Sequence, residues 1–275
     1  MRIRPHERLW HIDLSEIWRY RDLIELFVKR NIVVQYKQTI LGPLWYLIQP
    51  ILTVIMNMVV FGGIAKMSTD GMPQAIFYMA GNICWFYFSD CLNQSSSTFT
   101  ANQDMFGKVY FPRLVVPISV VISNLLRFAI QAGLFVVLYL YFFFNGADIA
   151  MNWAILLTPV FIVMLAGLGL GFGILISSLT TKYRDFTILF TFIVQLWMYA
   201  TPIVYPLSMV EDGTLRTLIL ANPRTSIIEA FKYATLGQGY FSWFALGYSF
   251  LFMSILLLFS IVIFNKVQRN FMDTV

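Results

Sequence analysis

Apolar residues fill long stretches of this 275-residue chain, and short polar segments separate them. A helix rises about 1.5 Å per residue, so about 20 apolar residues cross the roughly 30 Å hydrocarbon core of a bilayer. The runs are continuous and do not alternate with a period of two, which predicts an all-α membrane protein forming one domain over residues 1–275. Six runs are long enough to predict transmembrane helices, at about 41–65, 74–97, 114–144, 153–179, 186–204 and 242–264.

A charged segment before the first run predicts an N-terminal amphipathic helix over residues 13–36. Asp13 and Glu16 have the spacing of a capping box at its start. Apolar residues such as Ile24 fall near one face, and charged residues such as Glu25 fall near the opposite one. We expect an interfacial helix with its apolar side in the acyl boundary of the membrane. The alternative is an ordinary cap helix, but the sequence suggests no soluble core for that face to meet.

Two other segments are too short or too polar to cross a membrane. The polar break between the second and third runs has helical character over residues 102–111 and ends at Pro112. Between the fifth and sixth runs, residues 207–233 predict two short helices. We expect these helices to be re-entrant and shielded by protein on the outward side.

Glycines recur every second residue inside the fourth run and form overlapping small-xxx-small pairs, which allow two helices to approach closely. No Lys-Ser/Thr pair follows them, so the pattern does not predict a phosphate-binding loop. We expect helix packing at Gly167, Gly169, Gly171 and Gly173.

Basic residues indicate how the chain is oriented. If the N-terminus is cytoplasmic, 14 of the 19 Lys and Arg residues fall on the cytoplasmic side and four on the other. The positive-inside rule then predicts that both termini are cytoplasmic and that residues 207–233 face outward.

Composition and missing motifs limit the chemistry that this chain can perform. Charged residues make up only 12% of the chain, against about 25% in soluble proteins. No Walker A, HExxH, GxSxG or CxxC pattern occurs, and Asp90 is the main intramembrane carboxylate. We therefore expect no catalytic residues, metal site or cofactor in this chain, and its energy must come from a partner.

Aromatic and amide residues recur along faces of the first, second and fifth runs. Aromatic rings stack on the apolar faces of sugars, while amides and hydroxyls bond to sugar hydroxyls. The alternative is that the polar groups join helices and the aromatic residues form an interfacial belt. The interpretation we favour is a substrate channel for a glycan, lined by Trp45, Gln49, Tyr78, Asn82, Trp85, Ser89, Gln195 and Tyr199.

Four stretches resemble the ABC-2-type permeases that export polysaccharides: WRYRDLIELFVKRNIVVQYKQTILGPLWYLIQP, QDMFGKVYFPRLVVP, LTTKYRDF and ANPRTSIIEAFKY. Their order and spacing match across nearly the whole chain. The resemblance implies a homodimer of six-span subunits in the bacterial cytoplasmic (inner) membrane, with a pore at the dimer interface. It also implies two copies of a separate cytoplasmic ABC ATPase that binds ATP and Mg²⁺. The implied cargo is a glycan linked through diphosphate to a polyprenyl lipid. Membrane lipids are the other expected partners, and no nucleic acid is expected.

The resemblance also implies roles for particular segments. Residues 102–111 correspond to the coupling helix that seats in the ATPase, and residues 207–233 correspond to gate helices. The expected ATPase contacts are Asp104, Phe106, Lys108 and Arg113. The expected contacts for the lipid diphosphate are Arg19, Arg30 and Lys37.

Several functions remain open. An O-antigen exporter is favoured, and a capsule or teichoic-acid exporter or an ABC-2 exporter of drugs or small lipids is the alternative. A membrane enzyme acting on polyprenyl-linked sugars would need acidic or histidine groups clustered at one membrane face. A structural scaffold would leave the polar intramembrane faces unexplained.

Overall fold

A computed structural model describes residues 14–37, 40–102, 105, 111–180 and 185–274. Regular structure in these ranges is helical, without strands, which confirms the predicted all-α class. The helices are α1 (Leu14–Arg19), α2 (Arg21–Tyr36), α3 (Trp45–Asn57), α4 (Gln74–Ser96), α5 (Thr98–Ala101), α6 (Val115–Phe144), α7 (Thr158–Thr180), α8 (Asp185–Tyr199), α9 (Thr214–Ala221), α10 (Pro223–Leu236) and α11 (Trp243–Thr274). Three short 3-10 helices and one π-helix complete the described elements: Gly42–Leu44, Trp153–Leu157, Leu207–Met209 and the π-helix Met58–Ile64.

Four helical stretches are long and apolar enough to cross a membrane: Gly42–Ile64, Val115–Phe144, Trp153–Thr180 and Trp243–Val267. Helix α4 has 23 residues but carries many polar side chains. Helix α8 has 15 residues and is about 22 Å long, which is shorter than the hydrocarbon core. The structure thus supports four of the six predicted spans by length and composition, and the crossings by α4 and α8 stay predictions.

Three observed boundaries differ from the predicted ones. Helix α8 ends at Tyr199 instead of reaching position 204, because a residue preceding proline disfavours the helical conformation and Pro202 follows closely. The last helix continues past position 264 to Thr274. The predicted N-terminal helix is interrupted at Tyr20, which separates α1 from α2.

Helix α4 lies at the centre of the described fold and packs against α3, α6, α7 and α10. Sixteen of its 23 residues are buried, including the polar Asn82 and Ser89. Both its apolar and its polar faces therefore meet other helices of the same subunit.

Glycines on two faces of α7 allow the closest helix contacts. A Cβ atom at Gly169 would lie 2.8 Å from the Cβ of Cys91 on α4. A Cβ at Gly171 would lie 3.0 Å from Leu256 on α11. Alternate glycines thus admit α4 on one side and α11 on the other, which confirms the predicted helix packing.

Helix α2 packs along α6 at one end of the bundle. Phe27 is 4% exposed and meets the ring of Phe111 edge-on, with 5.8 Å between ring centroids. Phe27, beside the predicted apolar face, therefore contacts protein, and the placement of that face in the acyl boundary stays a prediction. Trp18 and Leu26, at 70% and 58% exposure, point away from this contact.

Two short helices, α9 and α10, occupy most of the segment between α8 and α11. The Asn222 side chain caps α10 by accepting a hydrogen bond from the Arg224 backbone N–H at 3.3 Å, and Pro223 begins the helix. Gly237 ends it in a left-handed conformation with φ of 82°. Almost every residue of α10 is buried. Helix α10 is therefore packed inward, whereas only Ile219 of α9 is buried, and the depth of both helices in a membrane stays a prediction.

Candidate functional site

The three basic residues expected to contact a lipid diphosphate are exposed. Arg19, Arg30 and Lys37 form no ion pair with a carboxylate among the described residues. By contrast, Lys29 pairs with Glu25 at 2.7 Å, and this hydrogen bond and positive charge lower the pKa of the Glu25 carboxyl. Three cations of the N-terminal helices are thus available to an anion.

Arg30 also lies beside the polar break that follows α5. Its guanidinium stacks on the Phe27 ring at 4.8 Å and donates to Asn102 Oδ1 at 3.5 Å. Asn102 begins the predicted coupling segment. The expected ATPase contacts Asp104, Phe106 and Lys108 lie outside the described residues.

Arg113, the fourth expected ATPase contact, lies just before α6. It is only 7% exposed, and burial lowers the pKa of its guanidinium. Little of this side chain reaches the surface, so a contact between its charge and another protein would require local rearrangement. Its assignment to the ATPase contact stays a prediction.

The predicted channel residues divide into an exposed set and a buried set. Trp45 and Gln49 on α3 are exposed, as are Gln195 and Tyr199 on α8. The α4 set is at most 8% exposed within the subunit and comprises Tyr78, Asn82, Trp85 and Ser89. In this arrangement only the predicted channel residues on α3 and α8 are exposed enough to contact a substrate. The role of the whole set in lining a channel stays a prediction.

Two of the predicted channel residues on α4 have buried polar atoms without hydrogen-bond partners among the described residues. These are the Tyr78 hydroxyl and both polar atoms of the Asn82 amide. A buried polar group left unpaired costs about 1–3 kcal/mol. A rearrangement that exposed this face of α4 to water or to sugar hydroxyls would remove that cost.

Polar side chains on α6 connect it to three other helices, and we call these residues the inner polar cluster. Arg127 donates to Asp90 Oδ2 on α4 at 2.7 Å and to Gln49 Oε1 on α3 at 2.6 Å. The amides of Asn124 and Gln94 exchange two hydrogen bonds of 3.3 and 3.4 Å. A further bond joins Ser123 on α6 to α2, and the members of the cluster are Asn31, Gln49, Asp90, Gln94, Ser123, Asn124 and Arg127.

A second group of polar contacts lies where α10 meets α4 and α8. The Arg224 guanidinium is fully buried and lies 4.9, 4.4 and 3.8 Å from the ring centroids of Trp85, Phe88 and Trp197. It donates to the hydroxyl of Thr201 at 3.2 Å and belongs to none of the ion pairs among the described residues. A desolvated cation–π contact contributes about 2 kcal/mol or more, so these rings substitute for a counter-ion.

Lys232, two turns further along α10, is buried as well. Its ammonium donates to the Pro202 carbonyl at 2.5 Å and to Glu229 Oε1 at 3.3 Å, and it lies 3.9 Å from the Phe77 ring centroid. Glu229 Oε2 in turn accepts from the Tyr240 backbone N–H at 3.3 Å. Charged contacts therefore fix both ends of α10.

A cavity of about 650 Å³ opens beside the end of α8 and is bounded by α9. Trp197 belongs both to its wall and to the aromatic surroundings of Arg224. The lining is mainly apolar and consists of Trp197, Tyr199, Ala200, Tyr205, Val210, Leu215, Leu218, Ile219, Ala221, Asn222 and Pro223.

The sequence interpretation missed the partners of the buried charges. Arg127, Arg224 and Lys232 are cations in apolar or tightly packed helices, which is an unusual position that could have singled them out. Within the described ranges, no group of three or more His, Cys, Asp or Glu side chains is placed to hold a metal ion.

Known proteins are similar to this chain over most of its length. Residues 22–236 match the ABC-2 type transporter family. The chain is 28% identical over 222 residues to the O-antigen export system permease protein RfbA of Myxococcus xanthus, covering 80% of this chain and 82% of that protein. It is 26% identical over 256 residues to a Klebsiella pneumoniae protein of the same name, covering 92% and 94%. It is 24% identical over 228 residues to the polysialic acid transport protein KpsM of Escherichia coli, covering 80% and 83%.

Proposed function

Because this chain belongs to the ABC-2 type transporter family, we propose that it is the membrane permease of an ATP-driven polysaccharide exporter, with O-antigen as the favoured cargo. The observation that carries the proposal is its similarity, over 92% of its length, to a protein named as an O-antigen export permease. In this proposal the chain moves the cargo, and a separate ATPase hydrolyses ATP.

The proposed assembly contains two copies of this chain and two ATPase subunits. Helices α3 and α8 support a dimer. Other helices of the single subunit cover little of either one, and both carry amide and aromatic side chains. Val194 is the one buried residue of α8, whereas Gln195 and Tyr199 are exposed. The segment 102–111 would meet the ATPase on the cytoplasmic side, and both termini would lie on that side.

The proposed cargo is attached to a polyprenyl lipid through a diphosphate. The exposed cations Arg19, Arg30 and Lys37 support a diphosphate-gathering surface along the N-terminal helices. A basic guanidinium bonds strongly to phosphate oxygens. Arg30 would also relate cargo binding to the coupling segment, since it contacts Asn102.

In the proposed path, the glycan moves between the exposed faces of α3 and α8. Trp45 and Tyr199 would stack on sugar rings, and Gln49 and Gln195 would exchange hydrogen bonds with hydroxyls. Several weak contacts suit this task, because each bound sugar must also leave. The buried α4 residues would join the path only after α3 or α8 moved.

Reconstitution with the partner ATPase tests the proposal. We would add polyprenyl-diphosphate-linked O-antigen, unlinked O-antigen and a panel of small lipids and drugs, and measure ATP hydrolysis. The lipid-linked glycan is expected to stimulate hydrolysis, and Arg30→Gln is expected to weaken that stimulation. Stimulation by drugs or small lipids alone would contradict a polysaccharide exporter.

A capsule exporter is the second candidate. The similarity to a polysialic acid transport protein favours it over an exporter of teichoic acid, drugs or small lipids. In the same assay, stimulation by a lipid-linked capsule glycan but not by lipid-linked O-antigen would select this function.

A further inference from the structure

Helix α3 has few apolar contacts with the rest of its subunit. Only Pro50, Val54 and Asn57 among its 13 residues are buried. In the most apolar 18 residues of the stretch Gly42–Ile64, which contains α3, 17% are buried, against 61% for Trp153–Thr180, which contains α7. Apolar packing alone therefore restrains α3 weakly, and its polar contacts matter more to its position.

The strongest polar contact of α3 is with Arg127. One nitrogen of that guanidinium bonds to Asp90 at 2.7 Å and another bonds to Gln49 at 2.6 Å. The same cation lies 5.2 Å from the ring centroid of Tyr46. The side chains of Arg127 and Asp90 are only 15% and 21% exposed, so surrounding helices partly shield the ion pair from solvent.

We propose that Arg127 is a positioning residue that holds α3 against α4 and α6 through the side chain of Gln49. Asp90 on α4 holds the Arg127 guanidinium in place by an ion pair. The other guanidinium nitrogen donates to Gln49 on α3. Arginine suits this arrangement because its planar group offers several donors in fixed directions. The consequence for transport rests on the proposed function, whereas the contact itself does not.

The two hydrogen bonds of Arg127 differ in strength, and the weaker one breaks first. The Arg127–Asp90 contact is an ion pair, and separating it inside the bundle would leave two charges uncompensated. The Arg127–Gln49 contact joins a cation to a neutral amide, which water or a sugar hydroxyl can replace as acceptor. When α3 moves, the bond to Gln49 therefore breaks first, and Arg127 stays paired with Asp90.

The variant Gln49→Leu tests the inference without disturbing the Arg127–Asp90 ion pair. Arg127→Ala would leave the Asp90 carboxylate without its ion-pair partner and could prevent folding. Gln49→Leu is therefore the preferred way to remove the Arg127–Gln49 hydrogen bond. A second variant, Gln49→Glu with Asp90→Asn, moves the carboxylate from α4 to α3 and keeps the net charge. Thr53→Val is the matched control, because among the described residues its hydroxyl bonds only to the Gln49 carbonyl of its own helix, at 2.9 Å.

Hydrogen–deuterium exchange of the full chain in nanodiscs provides the measurement. Gln49→Leu should speed exchange of the peptide covering residues 45–57 by about threefold to twentyfold, the range expected for one interhelical hydrogen bond in a membrane. Peptides from α7 should not change in any variant. Thr53→Val should match the parent protein, and the carboxylate transfer should exchange no faster than the parent.

Two results would overturn the positioning role. One is equal exchange of the α3 peptide in Gln49→Leu and the parent. The other is exchange in the carboxylate-transfer variant as fast as in Gln49→Leu. Glycan-stimulated ATP hydrolysis is measured separately, so failure of the proposed export function would leave the exchange result intact.

Discussion

Replacing Gly173 by alanine tests whether the contact between α7 and α4 is as close as the structure shows. The added Cβ would lie 2.5 Å from the Cβ of Ser95 and 2.8 Å from the Leu92 carbonyl oxygen. Ordinary contacts of this kind begin near 3.4 Å, and the second neighbour is backbone that cannot rotate away. The two helices must therefore separate by several tenths of an ångström along a packed seam.

The expected cost follows from this overlap. Overpacking a close-packed core costs about 1–3 kcal/mol, and replacing glycine by alanine in a helix offsets at most about 1 kcal/mol of this, so we expect a net loss of about 1–2 kcal/mol. For a chain of this size, each kcal/mol lowers the midpoint by about 2–4 °C. We expect the apparent Tm of Gly173→Ala to fall by about 2–8 °C.

Gly247→Ala is the matched control, because it changes the same residue type in a helix, and beyond that helix's own backbone no described atom lies within 4 Å of the new Cβ. Thermal unfolding of both variants would be followed in the same detergent by size-exclusion chromatography at equal heating times. Gly247→Ala should match or exceed the parent Tm. Equal Tm values for the two variants would refute the argument that α4 and α7 touch at Gly173.

Three further predictions concern charged and aromatic side chains. Arg224→Lys should lower the apparent Tm and shift tryptophan fluorescence, because an ammonium cannot stack on Trp197 as the planar guanidinium does; an unchanged spectrum would contradict the contact. Trp45→Ala and Tyr199→Ala should each reduce glycan export at normal expression in a cell-surface assay; wild-type export by both would contradict the path. Arg30→Gln should raise the cargo concentration needed for half-maximal ATPase stimulation more than it lowers the maximal rate; a change in the maximal rate alone would contradict a binding role.

Helix positions could be predicted because apolar run length reflects the thickness of a bilayer. The start of α4 agrees with its predicted range to the residue, and the glycine pattern of α7 predicts its close contacts correctly. The early end of α8 was not predicted, because apolar residues continue past Tyr199 and only Pro202 signals a break. Local chemistry and not hydropathy decides where such a helix ends.

Candidate site residues were less predictable, because a polar residue in a helix does not disclose what it faces. Asn82 and Gln195 are both amides in apolar helices, yet the first is fully buried and the second is exposed. The bond between Arg127 and Gln49 joins positions 78 residues apart. A single sequence carries no pattern that pairs such distant residues, so only the packing of the helices reveals the contact.

The packing suggests which parts of the subunit move during transport. Helices α4, α7 and α11 meet at glycine contacts where almost no displacement is tolerated, so we expect them to act as a rigid body. Helices α3 and α8 bury few residues and are joined to other helices by an arginine each: Arg127 bonds to Gln49 of α3, and Arg224 stacks on Trp197 of α8. Breaking these contacts would loosen either helix, and few core residues would have to move with it, chiefly Val54 of α3 and Val194 and Trp197 of α8. We therefore expect Gln49→Leu and Arg224→Lys to alter how readily α3 and α8 move, and substitutions at the glycines to lower the stability of the packed body.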